Sequence, residues 1–148
     1  NIQDSDEVLS VVNDMQKRLG DATNLQFLIQ NYLPGGKEII IGAQAQKDLG
    51  HLVLFGMGGV YVELLKDVAF ELTPVTPKEA TEMISSVKLY PLLTGFRGEK
   101  GVYVDSLTEI IQRVSQLVTD FPIIQEMDLN PIIATEKGVA VVDARIQI

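Results

Sequence analysis

The chain has 148 residues, 46% of them apolar, enough for one compact domain with its own core. A net charge of −8 and a pI near 4.5 exclude the basic footprint of a nucleic-acid binder, and no apolar run is long enough to cross a bilayer. The lack of cysteine removes disulfides, thiolate nucleophiles and thiolate metal sites.

From Asp4 to Leu19 the pattern is helical: Val8, Val11, Val12, Met15 and Leu19 recur at three- and four-residue spacing, Asp4 or Ser5 serves as N-cap and Gly20 ends the run. Leu25–Leu33 and Glu38–Ala45 read as strands joined through Pro34-Gly35-Gly36. His51–Phe55 is a third strand, running into Gly56-Met57-Gly58-Gly59. Tyr61–Leu72 alternates like a strand around Lys66-Asp67. Pro77 then opens a helix to about Val87, because a first-turn residue needs no N–H. A second helix spans Ser106 to about Asp120, with Leu107, Ile110, Ile111, Val114, Leu117 and Val118 as its buried stripe. Ile123–Ala134 and Val139–Ile146 close the chain as strands.

This order predicts an α+β fold, an antiparallel-rich sheet with helices packed on one face, forming a single domain over 1–148. Asn1-Ile2 supplies no initiator Met and leads directly into a helix signal, so a fragment of a longer protein is expected. With no signal-like N-terminus, the expected setting is cytoplasmic.

Chemistry concentrates in the closing hairpin. Alternation puts Glu126, Asp128 and Asn130 on one face of a strand and Met127, Leu129 and Ile133 on the other. If Glu136-Lys137 is a two-residue turn, Asn130 lies opposite Asp143 and Asp128 opposite Arg145, and opposed Cβ atoms stand about 4.5–5.5 Å apart. A three-residue turn through Gly138 shifts the register by one and pairs Asp143 with Leu129 and Pro131 instead. Glu-Lys is poor chemistry for a tight primed turn, while segregation of polarity favours the two-residue form. Amide and carboxylate oxygens without His suit Mg²⁺; the alternative is a solvated acidic strand end in which Asp128 and Arg145 form an ordinary ion pair.

Read together, Glu126-x-Asp128-x-Asn130-Pro131 and Val142-Asp143-Ala144-Arg145 resemble the end of the ATP-grasp domain of ADP-forming acyl-CoA (acetyl-CoA) synthetases. The chain is also similar to the corresponding part of the succinyl-CoA synthetase β subunit. Gly35-Gly36-Lys37-Glu38, Phe55-Gly56-Met57-Gly58-Gly59, Leu92-Leu93-Thr94-Gly95-Phe96-Arg97-Gly98 and Leu117-Val118-x-Asp120-Phe121-Pro122 agree in the same order. The segment Gln46-Lys47-Asp48-Leu49-Gly50-His51 departs from the family's Asp-x-x-Phe-Gly-Pro pattern. His51, the only histidine, stands there at a strand-opening proline position, and its structural reading outweighs a phosphorylated one.

The resemblance implies the C-terminal portion of an ATP-grasp domain that binds ATP or ADP with Mg²⁺. It implies Asn130 and Asp143 as Mg²⁺ ligands and Glu126 and Asp128 beside the reacting phosphoryl group; the two-residue register adds Arg145 as a brace on Asp128. It implies Gln30, Asn31, Tyr32 and Leu33 as the adenine hinge and Glu38 as the ribose contact. Gly56, Gly58 and Gly59 read either as a phosphate-facing loop or as a tight reversal; Arg97 reads as an anion holder or a structural arginine. Glu63 and Asp67 act near phosphates or cap a turn. The implied reaction converts acyl-CoA, ADP and phosphate to acid, CoA and ATP through phosphohistidine, in partnership with CoA-binding and ligase domains or subunits. The isolated chain is expected to be inactive. A rival implication is a non-catalytic synthetase-like module of a protein lysine acetyltransferase.

Overall fold

The computed structural model describes residues 2–20, 24–59 and 66–148, and the chain divides into two compact units, Asn1–Pro34 and Gly35–Ile148. In the first unit, α1 (Ser5–Leu19) starts where the Asp4 side chain accepts the Glu7 N–H. Asp6 and Glu7 in the first turn and Lys17 and Arg18 in the last suit the helix dipole, and Gly20 at φ 61° returns its N–H to the Gln16 carbonyl. None of the helix's side chains is buried.

The strand expected over Leu25–Leu33 is not formed. Among the described residues its backbone has no ladder partner, and Leu28, Ile29 and Tyr32 are exposed. Apolar residues favour a strand only where a neighbouring strand takes up the backbone N–H and C=O groups.

The second unit is built on a six-stranded antiparallel sheet. Its strands are β1 (Lys37–Gln46), β2 (Gly50–Met57), β3 (Val68–Leu72), β4 (Glu126–Thr135), β5 (Gly138–Val141) and β6 (Ala144–Gln147). The order is β3-β2-β1-β4-β5, with β6 pairing β4 beyond β5. Among the described residues the unit also holds the helices α2 (Pro77–Ser86), α3 (Tyr90–Thr94) and α4 (Val104–Asp120). Thr76 and Glu79 form a capping box that spans Pro77, and this sets where α2 begins.

The core joins alternate residues of β1 and β2 (Ile39, Ile41, Ala43, Val53, Phe55, Met57) to Ala80, Met83 and Ile84 of α2 and Leu107, Ile111, Val114 and Val118 of α4. The helices therefore cover one face. On the other face Ile40, Leu52 and Leu54 remain only half buried and Phe70 is exposed. Among the described residues, no helix is long and apolar enough to cross a membrane.

The last expected strand divides in two. Thr135 faces Gly138, so Glu136-Lys137 is a two-residue turn. Its weak turn chemistry is offset by Thr135 Oγ1, which accepts the Lys137 N–H and donates to the Gly138 carbonyl. Pairing then lapses at Val142-Asp143 before β6 resumes with Leu129 facing Ala144. Opposite, β1 holds Ile40 alone between the partners of Ile132 and Leu129, so Asn130-Pro131 is a bulge. Pro131 has no N–H for the ladder, a usual reason for such an irregularity. The extra residue reverses the alternation: Ile132 and Ala134 point into the core and Ile133 does not, correcting its placement with Met127 and Leu129.

Candidate functional site

The bulge and the strand break sit side by side. The Asn130 N–H donates to the Asp143 carbonyl at 3.2 Å and the Val142 N–H to the Pro131 carbonyl at 3.0 Å, so the two-residue register continues across the break. Asn130 and Asp143 are both exposed. The Asp143 carboxylate accepts the Ala144 N–H on one oxygen and lies 3.5 Å from Arg145 Nε with the other. Asp128 does face Arg145 across the ladder, yet the ion pair that Arg145 makes is with Asp143. The expected brace on Asp128 is thereby corrected: Asp143 and Arg145 stand two apart on one chain, and a guanidinium 81% exposed takes the nearer carboxylate. Among the described residues, no three or more Asp, Glu or His side chains gather at metal-binding distance. What the break brings together is the backbone of Asn130 and Asp143, one amide and one carboxylate side chain; such oxygens fit a hard cation only where phosphate and water supply the rest.

Glu126 and Asp128 precede the bulge and line a concavity of about 310 Å³ on the uncovered sheet face. Ile40, Gly42, Leu52, Leu54 and Phe70 form its apolar floor. An apolar floor with acids at its rim accommodates a flat apolar group whose polar end carries a cation. Sequence reading missed these floor residues. The available signal was Ile39-Ile40-Ile41, an apolar run without alternation, which asks for burial on both faces of a strand.

Glu38 and the glycine loop come together. The Gly58 N–H donates to the Glu38 carbonyl at 2.6 Å, and a Cβ on Gly58 would lie 2.9 Å from the Glu38 carbonyl carbon. Gly59 has φ 64°, and a Cβ there would lie 2.7 Å from Glu38 Oε2. Gly56 lies against Val68 and the Asp67 carbonyl. These contacts carry the β1–β2 alignment one step past Ile39 and Met57 and pack the glycines closely on Glu38; Glu63 lies outside the described residues. Gln30, Asn31 and Tyr32 belong to the first unit, where they line a concavity of about 580 Å³ with the start of α1, and Leu33 is exposed beside them.

Arg97 is exposed at φ 50°, its guanidinium 5.3 Å from the Phe96 ring centroid, with no carboxylate partner among the described residues. Asp67 is 5% exposed and accepts the N–H groups of Lys88 and Leu89 at 2.8 Å each, so it caps the entry to α3. His51 is 3% exposed, with Nε2 2.7 Å from the Ile124 carbonyl. Since a carbonyl only accepts, Nε2 carries the proton. Both are structural groups.

Two further ion pairs tie the loop after α3 to the sheet: Lys37 with Glu99, and Lys100 with Glu136. Hydrogen bonding and charge from the lysine hold each glutamate below its ordinary pKa, and Glu136 raises Lys100. No local pattern could have disclosed them, because the partners are remote in sequence.

The ATP-grasp domain family matches residues 1–148. The ADP-forming acetate–CoA ligase I of Archaeoglobus fulgidus is 44% identical over 135 residues, 91% of this chain and 20% of the relative. The β subunit of the ADP-forming acetate–CoA ligase I of Pyrococcus furiosus is 45% identical over 125 residues, 84% of this chain and 54% of the relative. The fold matches a dinucleotide-forming acetyl-coenzyme A synthetase 1 from Ca. Korarchaeum cryptofilum with a TM-score of 0.88 and 38% identity, over 100% of this chain and 66% of the other. That structure holds coenzyme A and Mg-AMPPCP, with a phosphohistidine segment pointing towards its nucleotide-binding site. The chain thus spans about a fifth of the first of these two ligase relatives and about half of the second. It belongs to the ATP-grasp domain family, among relatives that are ADP-forming acetate–CoA ligases.

Proposed function

We propose that this chain is the C-terminal portion of the ATP-grasp domain of an ADP-forming acyl-CoA synthetase, and that it holds the nucleotide and Mg²⁺ while acyl-CoA, ADP and phosphate are converted to acid, CoA and ATP. The observation that carries the reading is the hydrogen-bonded opposition of Asn130 and Asp143, at the mid-strand bulge of β4, whose Glu126 and Asp128 rim an apolar concavity. The ligase relatives support this reading over a regulatory acetyltransferase module.

Asn130 and Asp143 would hold the Mg²⁺, which supplies charge neutralisation for the phosphates. An acidic chain of net charge −8 needs such a cation to approach a polyphosphate. Glu126 and Asp128 lie beside the reacting phosphoryl group; Gln30, Asn31, Tyr32 and Leu33 receive adenine; Glu38 takes the ribose hydroxyls. Gly56, Gly58 and Gly59 let the chain turn close to the phosphates, and Arg97 binds an anion. Catalysis at this end of the reaction is positioning and charge neutralisation. CoA-binding and ligase domains or subunits, in a cytoplasmic setting, supply the rest, and the 148 residues alone do not turn over.

Calorimetry of Mg-ADP binding to the intact protein tests the reading. Asp143→Ala weakens binding at least about tenfold, since even outer-shell changes cost roughly 10–100-fold in metal affinity. Equal affinity in the two proteins would refute the assignment.

A further inference from the structure

The loop from Gly95 to Gly101 joins α3 to α4 and carries Arg97 at its tip. Its neck is closed by backbone. The Val102 N–H donates to the Leu93 carbonyl at 2.7 Å and the Tyr103 N–H to the Thr135 carbonyl at 2.8 Å. A Cβ on Gly95 would lie 2.8 Å from the Glu99 carbonyl oxygen, and one on Gly101 2.7 Å from Thr94. At the tip, the Glu99 N–H donates to the Phe96 carbonyl at 3.1 Å across Arg97 and Gly98, which have φ 50° and 88°. This is a tight turn with both central residues left-handed. Once the neck is closed, what is left to fix is how the loop tilts against the rim of the sheet.

Two adjacent residues of opposite charge fix that tilt. Glu99 pairs with Lys37 at the start of β1, and Lys100 pairs with Glu136 in the β4–β5 turn. Lys37 faces Ala134 in the ladder, so the two rim charges stand on neighbouring strands and are themselves opposite in sign. Glu99, Lys100, Lys37 and Glu136 flank a concavity of about 450 Å³. A tilt that exchanged partners would set Glu99 against Glu136 and Lys100 against Lys37. The arrangement thus disfavours the wrong position as well as favouring the right one.

We propose that these crossed pairs are a latch, and that Lys37, Glu99, Lys100 and Glu136 are positioning residues that hold Arg97 where it meets an anion. The use of the latch rests on the anion-binding role given to Arg97 above; its existence does not. Single exposed pairs contribute little, so the latch biases a loop already closed and does not build one.

An arginine-specific protease reads the loop directly, through cleavage after Arg97 in the full chain. Glu99→Gln with Glu136→Gln raises the cleavage rate about threefold at low salt, the scale expected for exposed pairs. Salt at 0.5 M, by screening, does the same to the wild type and changes the double variant little. Reversing all four charges (Lys37→Glu, Glu99→Lys, Lys100→Glu and Glu136→Lys) keeps both pairs and the opposition along the loop and returns the wild-type rate, whereas Lys37→Glu with Glu99→Lys alone leaves like charges on the loop and restores protection only in part. Equal rates in all proteins, or failure of the fourfold reversal to restore protection, would overturn the latch. An Mg-ADP affinity unchanged by Arg97→Gln, with protection intact, would strike the role of Arg97 and leave the latch standing.

Discussion

Asp67 separates a functional from a structural reading most sharply, and Asp67→Ala is the perturbation. Its carboxylate is 5% exposed and accepts two backbone N–H groups, from Lys88 and Leu89, at 2.8 Å each. A hydrogen bond to a charged group contributes about 1.5–3 kcal/mol, but both N–H groups here lie where water can partly replace the carboxylate, so the sum is discounted. The expected loss is about 2–4 kcal/mol, a large share of the ~5–15 kcal/mol by which a domain is stable. For a unit of this size that corresponds to a fall in Tm of roughly 10–15 °C. Asp67→Asn keeps one acceptor and aims an NH₂ at the other N–H, and loses about 1–2 kcal/mol. Urea unfolding followed by circular dichroism reads both, with m unchanged. A loss below about 0.5 kcal/mol for Asp67→Ala, accompanied by weaker nucleotide binding, would refute the capping role and return Asp67 to the phosphates.

His51→Phe strands the Ile124 carbonyl and destabilises the chain by about 1–3 kcal/mol while leaving Mg-ADP affinity unchanged; calorimetry showing lost binding in a folded variant would contradict this. Gly58→Ala drives a methyl into the Glu38 backbone and breaks the Gly58–Glu38 hydrogen bond, a loss of about 2–4 kcal/mol by thermal unfolding; a neutral result would mean that the loop does not close on Glu38. The latch has a pH window. Depressed glutamate pKa values give stabilisation that is present above the ordinary value of 4.5 and lost as pH falls through the lowered folded values. The raised Lys100 contributes below its ordinary 10.5, a contribution lost as pH rises through its raised folded value. Carboxyl ¹³C titration of Glu99 and Glu136 should give midpoints below 4.5, and midpoints at or above that value would remove the pairs.

Much of the second unit was legible because its signals are local. Thr76, Pro77 and Glu79 mark a helix start, the stripe of α4 repeats at helical spacing, and the hairpin register followed from where polarity segregates in Glu126–Asn130. What escaped depends on partners remote in sequence. Leu25–Leu33 has the composition of a strand but no neighbour to pair with among the described residues. The segment that leads into α3 is held by Asp67, remote in sequence, through the Lys88 and Leu89 N–H groups. At the site, the opposition of Asn130 and Asp143 was readable, whereas the bulge that turns Ile132 inward was marked only by Pro131. The apolar floor of the concavity needs three strands to exist at all.

The central claim is that Asn130 and Asp143 hold the metal of a metal–nucleotide complex. Mn²⁺ in place of Mg²⁺, titrated with ADP into ¹⁵N-labelled intact protein, broadens the amide signals of residues close to the bound ion. The account predicts that those of Asn130 and Asp143 broaden first, that those of His51 and Ile124 stay sharp, and that Asp143→Ala abolishes the effect. Broadening centred elsewhere, or unchanged in Asp143→Ala, would contradict it.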